Sequence, residues 1–462
     1  MATLDHVTSE EGTAAGMFAA FATDAKIPAA ARARAGVAIL DTVGVALAGS
    51  VEPAAQMVQR VVRAEGGAPQ CGVFGTSLRT SATAAALANG TAAHALDYDD
   101  MCFVSLAHPS APLATAVLVA GELIGASGRA VLDAYVVGFE IEAVLGRALN
   151  PAHYQRGWHC TSTIGTVGAA VAVARLLGLD AAATMRAIAI AASEASGLKE
   201  NFGTMVKPLH AGLAARNAVL AALLAREGLS ASAHALDGDQ GMLMAMDGSV
   251  HGLGTLADEL GRRWEILETG ITVKLYPSCA ATHPPLDALL DLRRHHGFGP
   301  DDVERIVVAV DEVTPTVLIH ERPATGLEAK FSLQLCAAAA VVEGHVGIET
   351  FENARIADPR VQAMRSRVEM RVDPALGRTA PALTQAVVTV HLRDGRTLEQ
   401  RADGARGYPD QPASDAELDA KFRSCAARAL PPAAIEQVLA ALRSLDTLPD
   451  VRAMTALLVG EA

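Results

Sequence analysis

The strongest indication of the fold is the run Cys160-Thr-Ser-Thr-Ile-Gly165-Thr-Val-Gly168-Ala-Ala170. It lies in a segment, at about 160–177, that is apolar nearly all round a helix, which is typical of a helix inside a bundle. Its glycines and alanines predict that neighbouring helices approach closely. Similar helical patterns recur at about 80–95, 112–125, 129–148, 180–196 and 208–227. The sequence therefore predicts a large all-helical domain.

The sequence pattern changes near residue 265. Apolar and polar residues alternate there as in strands, and the pair Asp394-Gly395 predicts a hairpin turn. The predicted strands are Arg305–Val310, Arg367–Val372, Ala386–Leu392 and Thr397–Gln400, with helices at about 284–297 and 331–343. We therefore predict a mainly α protein, in which residues 1–264 and 405–462 form the helical domain. Residues 265–404 would be an inserted, smaller α+β domain with an antiparallel sheet.

The composition of the 462-residue chain limits the classes of function. Hydrophobic residues make up 51% and charged residues 19%, which suits large buried cores and excludes a disordered chain. The net charge of −13, without a basic stripe, argues against a nucleic-acid partner. An anionic substrate would therefore have to be held by a few local cations.

Cysteine usage and hydropathy indicate the compartment. The six cysteines are scattered without a CxxC pair, so zinc and iron–sulfur sites are disfavoured and a reduced, cytoplasmic setting is expected. The longest uncharged run, Met101–Gly121, is interrupted by Pro109 and Pro112, and the N-terminus has no signal-peptide pattern. We therefore expect a soluble protein with no membrane partner.

Histidines and carboxylates are concentrated in two neighbouring runs, His94-Ala-Leu-Asp-Tyr-Asp-Asp100 and Ala107-His-Pro-Ser110. Asp97 and Asp100 lie three residues apart, so on a helix end they would share one face. His108, held by the proline after it, is a candidate general base because the imidazole pKa of roughly 6.5 is close to the working pH. In the alternative interpretation, Asp99 and Asp100 are only a solvated helix terminus.

Two further segments carry candidate binding groups. His159 stands just before a small-residue helix whose free amides favour a carboxylate ligand, and the Thr161 hydroxyl adds a donor. Alternatively, Thr161 is only the helix cap and His159 a packed ring. Lys207, followed by Pro208 and set between apolar helices, is suited to hold a substrate carboxylate; otherwise it is a snorkelling surface lysine. His210 is interpreted as structural, opening the next helix.

A fourth segment, Lys274-Leu-Tyr-Pro-Ser-Cys-Ala-Ala-Thr-His283, opens the α+β region. Tyr276 and His283 are polar groups in a proline-bounded turn that can close over a site; alternatively they are a packed ring and a satisfied loop histidine. No Walker loop, GxGxxG after a strand or GxSxG elbow is present, so nucleotide and serine-hydrolase functions lack support. His94 and Asp97 lack a third ligand, so no metal is expected.

Taken together and in this order, the four segments resemble the MmgE/PrpD family, the 2-methylcitrate dehydratase-like proteins. The matching runs are HALDYDD…HPS, GWHCTSTIGTVGAA, NFGTMVKPLHAGLAARN, KLYPSCAATHPPLD, TGLEAKFS and GYPDQPASDAELDAKF. The resemblance implies an all-helical domain with an inserted α+β lid, a homodimer, and chemistry on small di- and tricarboxylates without metal or organic cofactor. It places active-site positions at Asp97, His108, His159, Lys207 and His283.

The resemblance implies a mechanism built on a carbanion next to a carboxylate. Cations and helix amides would neutralise the substrate carboxylates; these groups are Lys207, Lys274 or Lys330, and the amides near Thr161. One of His108 and His159 would remove a proton and the other return one, while Asp97 would orient a histidine or act as base. Closure of the lid would exclude water and bring in His283.

The expected reaction is dehydration by a cofactor-free lyase. Met101 stands where decarboxylase-like members carry a threonine, and the spacing to His108 differs by one residue, which disfavours a cis-aconitate decarboxylase. The insertion typical of methylcitrate dehydratases before HPS is also missing. The alternatives left open are an epimerase of an iminodisuccinate-like substrate, a decarboxylase, and a carboxylate-binding protein without activity.

Overall fold

The computed structural model describes residues 12–246, 253–377 and 384–460. The chain forms two compact units. The first, which we call the helical unit, comprises Met1–Ala95, Asp99–Ile271 and Asp415–Ala462. The second, the α/β unit, comprises Thr272–Ser414 together with the three-residue segment Leu96–Tyr98.

Helices dominate the first unit. Before residue 272 they are α1 (Ala14–Asp24), α2 (Ala29–Gly49), α3 (Pro53–Glu65), α4 (Ala82–His94), α5 (Ser110–Ile124), α6 (Gly128–Leu149), α7 (Ala152–Gln155), α8 (Cys160–Leu176), α9 (Ala181–Glu194), α10 (Val206–Arg226), α11 (Met242–Met246), α12 (Leu253–Ala257) and α13 (Glu265–Glu268). Two short antiparallel strands, β1 (Cys71–Gly72) and β2 (Arg79–Thr80), stand between α3 and α4. The mainly α fold class is thus confirmed.

Local signals in the sequence set several of these helix ends. Ser81, Ser127 and Asp180 are the N-caps of α4, α6 and α9, and each side-chain oxygen accepts a hydrogen bond from the backbone N–H three residues on. Such caps satisfy a donor that the helix itself leaves unpaired. Gly125 ends α5 in the left-handed conformation, with φ 70°, which glycine adopts without steric cost.

Close approach between helices builds the core of this unit. Helix α8 is buried along nearly its whole length and packs against α5, α6, α9 and α10. A Cβ atom at Gly168 would lie 2.8 Å from the carbonyl oxygen of Gly138 on α6, so a larger residue would force the helices apart. The predicted close packing of small residues is confirmed.

The contact between α4 and α10 is similarly tight. A Cβ atom at Gly90 would lie 2.9 Å from the carbonyl oxygen of Ala211, and one at Gly212 would lie 2.9 Å from the amide nitrogen of Thr91. Glycine at both contact positions lets the two backbones meet. As a result, the last residue of α4, His94, lies beside the first turn of α10.

Among the described helices, α10 is long and apolar enough to cross a membrane. The helices α2 and α3, which are joined by a sharp bend, meet the same criteria of length and composition when they are taken together. Most of the apolar window of α10 is buried, against α4, α8, α9 and other helices of its unit. Core helices of globular proteins also pass this test, so the feature is weak evidence for a membrane span.

The α/β unit combines one sheet with helices. Its elements are α14 (His283–His296), β3 (Val303–Val310), α15 (Thr314–Val317), α16 (Gly326–Ala329), α17 (Leu333–Glu343), α18 (Asn353–Ile356), α19 (Pro359–Arg365), β4 (Val368–Val372), β5 (Ala386–Leu392) and β6 (Thr397–Ala402). The strand order is β4-β3-β5-β6. Strand β5 alternates buried and half-buried residues, and its buried side chains join a core with α14 and α17.

The prediction of an antiparallel sheet is wrong for one strand. β3–β5 and the hairpin β5–β6 are antiparallel, but β4 pairs with β3 in parallel. Helices α15 to α19 connect β3 to β4, and a crossover through helices is the connection that parallel strands require. The chain then returns to the helical unit with α20 (Asp415–Ala426), α21 (Pro432–Arg443) and α22 (Arg452–Thr455).

Candidate active site

The turn after α4 differs from the sequence prediction. Helix α4 ends at His94, and Asp97 has a left-handed backbone with φ 52°, a conformation that aspartate adopts more readily than most residues. Asp97 and Asp100 therefore do not share a helical face, and that prediction is wrong. Asp99 and Asp100 are both fully buried, so their interpretation as a solvated helix terminus is also wrong.

His94 stands at the centre of a buried hydrogen-bond chain in the helical unit. Its Nδ1 lies 2.7 Å from Oδ2 of Asp99, and its Nε2 lies 2.9 Å from Nζ of Lys207. A lysine ammonium can only donate, so Nε2 accepts from Lys207 and the Nδ1 proton is donated to Asp99. We call this arrangement the Asp99–His94–Lys207 chain. Lys207 is only 5% exposed, so the interpretation as a snorkelling lysine is wrong.

Two predicted acid–base residues lie against His94. The ring centroid of His108 is 4.6 Å from that of His94, and its Nδ1 is 3.5 Å from Oδ2 of Asp99. The ring of His159 stacks on His94 at 5.7 Å. Thr161 accepts a hydrogen bond from the backbone N–H of His108 at 3.0 Å, so its oxygen fixes the loop that carries this imidazole. Three imidazoles and one ammonium group thus form a single cluster.

His159 has a second histidine partner. It occupies the N-cap position of α8, so the alternative that Thr161 caps this helix is wrong. Its Nδ1 lies 3.0 Å from Nδ1 of His210, and its ring meets the edge of Phe202 at 4.9 Å. His210 lies inside α10, one turn beyond Lys207, rather than opening a helix. The three-residue spacing of Lys207 and His210 places both on one face of α10, but no sequence signal identified His159 as the partner of His210.

Burial and positive charge act on His210. Burial, with smaller contributions from the neighbouring His94 and Lys207, lowers the pKa of His210 from 6.5 to about 4. His210 is therefore neutral near pH 7. When the His159–His210 pair takes up a proton, His159 is the ring that carries the positive charge.

Asp100 lies behind the cluster rather than in it. Its carboxyl group accepts a hydrogen bond from the backbone N–H of Ser110 at 3.2 Å and contacts the Ser110 hydroxyl, which is 2.5 Å from the hydroxyl of Tyr135. Burial raises the pKa of Asp100 to about 8; the charges of Asp41 and Asp99 add to this, against the Ser110 hydrogen bonds. Asp100 is therefore largely protonated at neutral pH.

This raised pKa predicts a pH-dependent stability. From pH 4 to about 8 the folded chain holds a proton on Asp100 that the unfolded chain, with a pKa of 3.8, has lost. The stability that Asp100 contributes at low pH is therefore lost as the pH rises through 8. We expect the free energy of unfolding of Asp100→Asn, relative to the wild type, to increase by at least ~1.4 kcal/mol between pH 5 and pH 9. Urea unfolding at the two pH values measures this, and parallel curves would contradict it.

Lys274 and Lys330, which were predicted as substrate-binding cations, donate hydrogen bonds to backbone carbonyl oxygens in the α/β unit. Nζ of Lys274 donates to the carbonyl oxygen of Asp97 at 2.7 Å and lies 3.3 Å from its Oδ2. Nζ of Lys330 donates to the carbonyl oxygens of Leu96 and Pro277, at 2.7 and 2.8 Å. Both side chains are buried, so within their unit they anchor the segment Leu96–Tyr98. Their role as substrate cations stays a prediction.

Removing either anchor should destabilise the protein. In Lys274→Met or Lys330→Met a buried carbonyl oxygen loses its donor, which typically costs ~1–3 kcal/mol. The exposed Lys26 supplies the matched control, since Lys26→Met removes the same charge and should change stability by less than ~0.5 kcal/mol. Urea midpoints of the three variants test this; a Lys274→Met midpoint equal to that of Lys26→Met would show that the anchor does not stabilise the fold.

Tyr276 and His283 have partners of their own in the α/β unit. The Tyr276 hydroxyl donates to Oδ1 of Asp287 at 2.5 Å and accepts from the Arg406 guanidinium at 3.0 Å. These contacts hold the hydroxyl in place. Burial is the largest cause of the raised pKa of Tyr276. His283 is fully buried; its Nε2 lies 3.2 Å from the carbonyl oxygen of Ser278. The sequence did not single out Asp287 or Arg406.

His94, Asp99 and His108 offer atoms within 4.8 Å of one another, a spacing that a metal ion could use. However, both ring nitrogens of His94 are engaged, with Asp99 and Lys207. An ammonium group 2.9 Å from a ligand atom would repel a divalent cation. These donors fit a hydrogen-bonded acid–base cluster better than a metal site.

Comparisons with known proteins match almost the whole chain. The family model described as MmgE/PrpD N-terminal domain matches residues 16–251, and the model described as MmgE/PrpD C-terminal domain matches residues 276–447. The cis-aconitate decarboxylase of Homo sapiens is 29% identical over 438 residues, covering 91% of this chain and 89% of the human protein. The cis-aconitate decarboxylase-like protein oryM of Aspergillus oryzae is 29% identical over 461 residues, 94% of each chain.

A third relative, the cis-aconitate decarboxylase of Aspergillus terreus, is 25% identical over 460 residues, covering 95% of this chain and 93% of its own. The similarity therefore spans both units rather than one shared domain. The N-terminal family model alone covers more than half of the chain, and the resemblance seen in the sequence is confirmed. This chain belongs to the MmgE/PrpD family.

Proposed function

We propose that this protein is a lyase that acts on a small di- or tricarboxylate through a carbanion next to a carboxylate group. The observation that carries the proposal is the Asp99–His94–Lys207 chain with His108 and His159 against it. It places one buried cation among three imidazoles in a chain of net charge −13. Such a cluster suits an anionic substrate that exchanges protons at carbon.

In this proposal Lys207 binds a substrate carboxylate. Its ammonium group donates a hydrogen bond to Nε2 of His94 and carries the positive charge that attracts a carboxylate. In a buried site its charge stabilises the negative charge that develops on the neighbouring carbon and carboxylate. Asp99, through His94, keeps the ammonium group in place and keeps the local charge balanced.

His108 and His159 are the proposed acid and base. In a dehydration, one imidazole takes the proton next to the carboxylate, the C–H electron pair forms the double bond, and the hydroxyl leaves as water with a proton from the other imidazole. In a decarboxylation, the electron pair of the C–CO2 bond stays on carbon, and an imidazolium then protonates that carbon. Both reactions use Lys207 and at least one of the two imidazoles, so the cluster supports a lyase that acts on a carboxylate without distinguishing dehydration from decarboxylation.

Two reactions within the class have specific support. Relatives named cis-aconitate decarboxylase, from human and Aspergillus, cover about nine-tenths of this chain and favour decarboxylation of cis-aconitate. Met101, in place of the threonine of decarboxylase-like members, disfavours decarboxylation and leaves dehydration of a citrate-like hydroxy acid as the other candidate.

Proton NMR in deuterated water distinguishes these reactions. The panel is cis-aconitate, 2-methylcitrate, citrate and iminodisuccinate, with the variant Lys207→Met as the control for background reaction. We expect either loss of CO2 from cis-aconitate or formation of an unsaturated acid from one of the hydroxy acids. Exchange with inversion of iminodisuccinate alone would replace the lyase by an epimerase. Binding without turnover across the panel would contradict an enzymatic function.

A further inference from the structure

We propose that His210 is a positioning residue that fixes which nitrogen of His159 carries a proton. The inference rests on the proposed acid–base role of His159 and goes beyond it, because His210 itself touches no reacting atom. The two Nδ1 atoms lie 3.0 Å apart, a hydrogen-bond distance that requires one nitrogen to donate and the other to accept.

The backbone around the pair is held from two sides. The N–H of His159 donates to the carbonyl oxygen of Gly197 at 3.0 Å, and the Ser162 hydroxyl donates to the carbonyl oxygen of His210 at 3.2 Å. The Phe202 ring and the His94 ring enclose His159 on its other faces. These contacts hold the backbone of both residues and enclose the His159 ring, so the Nδ1–Nδ1 hydrogen bond joins two positioned residues of the helical unit.

The direction of this hydrogen bond follows from the protonated state. When His159 takes up a proton, both of its ring nitrogens carry hydrogen, so its Nδ1 can only donate. The contact then persists only if Nδ1 of His210 accepts, with the His210 proton on Nε2. In that arrangement the unprotonated His159 presents the lone pair of Nε2 as a base. The reverse arrangement would place a proton on Nε2 and occupy the remaining lone pair.

The charges around the pair keep His210 in the acceptor state. The titratable groups that face it are Lys207, one turn earlier on α10, His94 at the end of α4, and His159 itself. Burial is the largest cause that disfavours a positive charge on His210, and the Lys207 ammonium group adds to it. His210 is thus a neutral counterpart of the carboxylate that orients the base in many hydrolases, since it accepts from the imidazole without adding negative charge.

Replacement of His210 provides the test. In His210→Asn the side-chain oxygen can lie near the place of Nδ1 and accept the same hydrogen bond, whereas His210→Leu and His210→Ser offer no acceptor there. We expect the pKa of His159 to fall by ~1 unit in the Leu and Ser variants, because the protonated imidazole loses its acceptor. In the Asn variant the pKa should stay within ~0.3 units of the wild type.

The measurement is a pH titration of imidazole ¹⁵N shifts in ¹⁵N-histidine-labelled protein without substrate, with the His159 signals assigned through His159→Gln. Because no turnover is needed, the result is independent of whether the proposed reaction is correct. The acidic limb of the kcat/KM profile should move down with the pKa of His159 in the Leu and Ser variants and be restored in the Asn variant. Equal His159 titrations in the Asn, Leu and Ser variants would overturn the proposal and leave His210 a packing residue.

Discussion

Lys207→Met is expected to lower kcat/KM by at least ~10³-fold on the substrate that the NMR panel identifies. Methionine has nearly the same length as lysine, so the change removes the charge and the donors while keeping most of the packing. A substrate carboxylate would then enter a buried site without its cation, and the Asp99–His94 pair would lose the ammonium group that balances it. Steady-state kinetics over a range of substrate concentrations measure the effect.

The same data separate binding from chemistry. If Lys207 mainly stabilises charge that develops in the transition state, kcat falls together with kcat/KM; if it only binds the ground state, KM rises and kcat is kept. Lys26→Met is the matched control, since it removes an exposed lysine and should leave kcat/KM within ~2-fold of the wild type. Unfolding midpoints of both variants show whether the fold is intact. A kcat/KM within 10-fold of the wild type in folded Lys207→Met would contradict the proposed substrate contact.

The helices of this fold could be predicted closely because their signals are local. Small apolar residues along α8 mark a buried helix in the sequence itself, and Pro208, the third residue of α10, marks the first turn of a helix. The pairing of β4 is not local, because its direction depends on how helices α15 to α19 return the chain to the sheet. Alternation in Val368–Val372 marks a strand equally well in either direction. The sequence therefore could not show that β4 pairs with β3 in parallel, and the antiparallel prediction was wrong.

The sequence predicted which residues form the candidate site better than it predicted which of them contact one another. His108, His159 and Lys207 were identified, and the structure brings them together around His94. From the sequence, His94 was considered only as a possible metal ligand, because it is the last residue of an apolar helix. Only the close contact of α4 with α10 places it against Lys207. Three-residue spacing along the chain marks a shared face, not a partner on another helix.

The spacing of the aspartates also could not show which of them contacts His94. The run Asp97-Tyr98-Asp99-Asp100 holds three carboxylates of nearly equal intrinsic pKa. The left-handed turn at Asp97 sends successive side chains in different directions: Asp99 meets His94, and Asp100 meets Ser110. Backbone conformation therefore gives neighbouring, chemically identical residues different roles, and the difference can be measured.

Asp99→Asn is expected to lower kcat by ~10²–10⁴-fold, whereas the neighbouring Asp100→Asn should change it by less than ~5-fold. An asparagine at 99 can donate as well as accept, so it no longer requires the Nδ1 proton on His94. If that proton moves to Nε2, it faces the Lys207 ammonium group and the contact at 2.9 Å is lost. Lys207 then loses both its acceptor and the negative charge behind it.

Asp100 supplies the control because its carboxyl, with a pKa of about 8, is already largely protonated at pH 7. Asparagine there resembles the neutral acid in charge and shape, so Asp100→Asn tests for general disturbance of the same turn. Kinetics of both variants at pH 7, with the imidazole ¹⁵N shifts of His94 as a direct record of its tautomer, make the comparison. Equal losses in the two variants, or an unchanged His94 tautomer in Asp99→Asn, would mean that the turn acts through its shape and that the Asp99–His94–Lys207 chain does not set the proton positions.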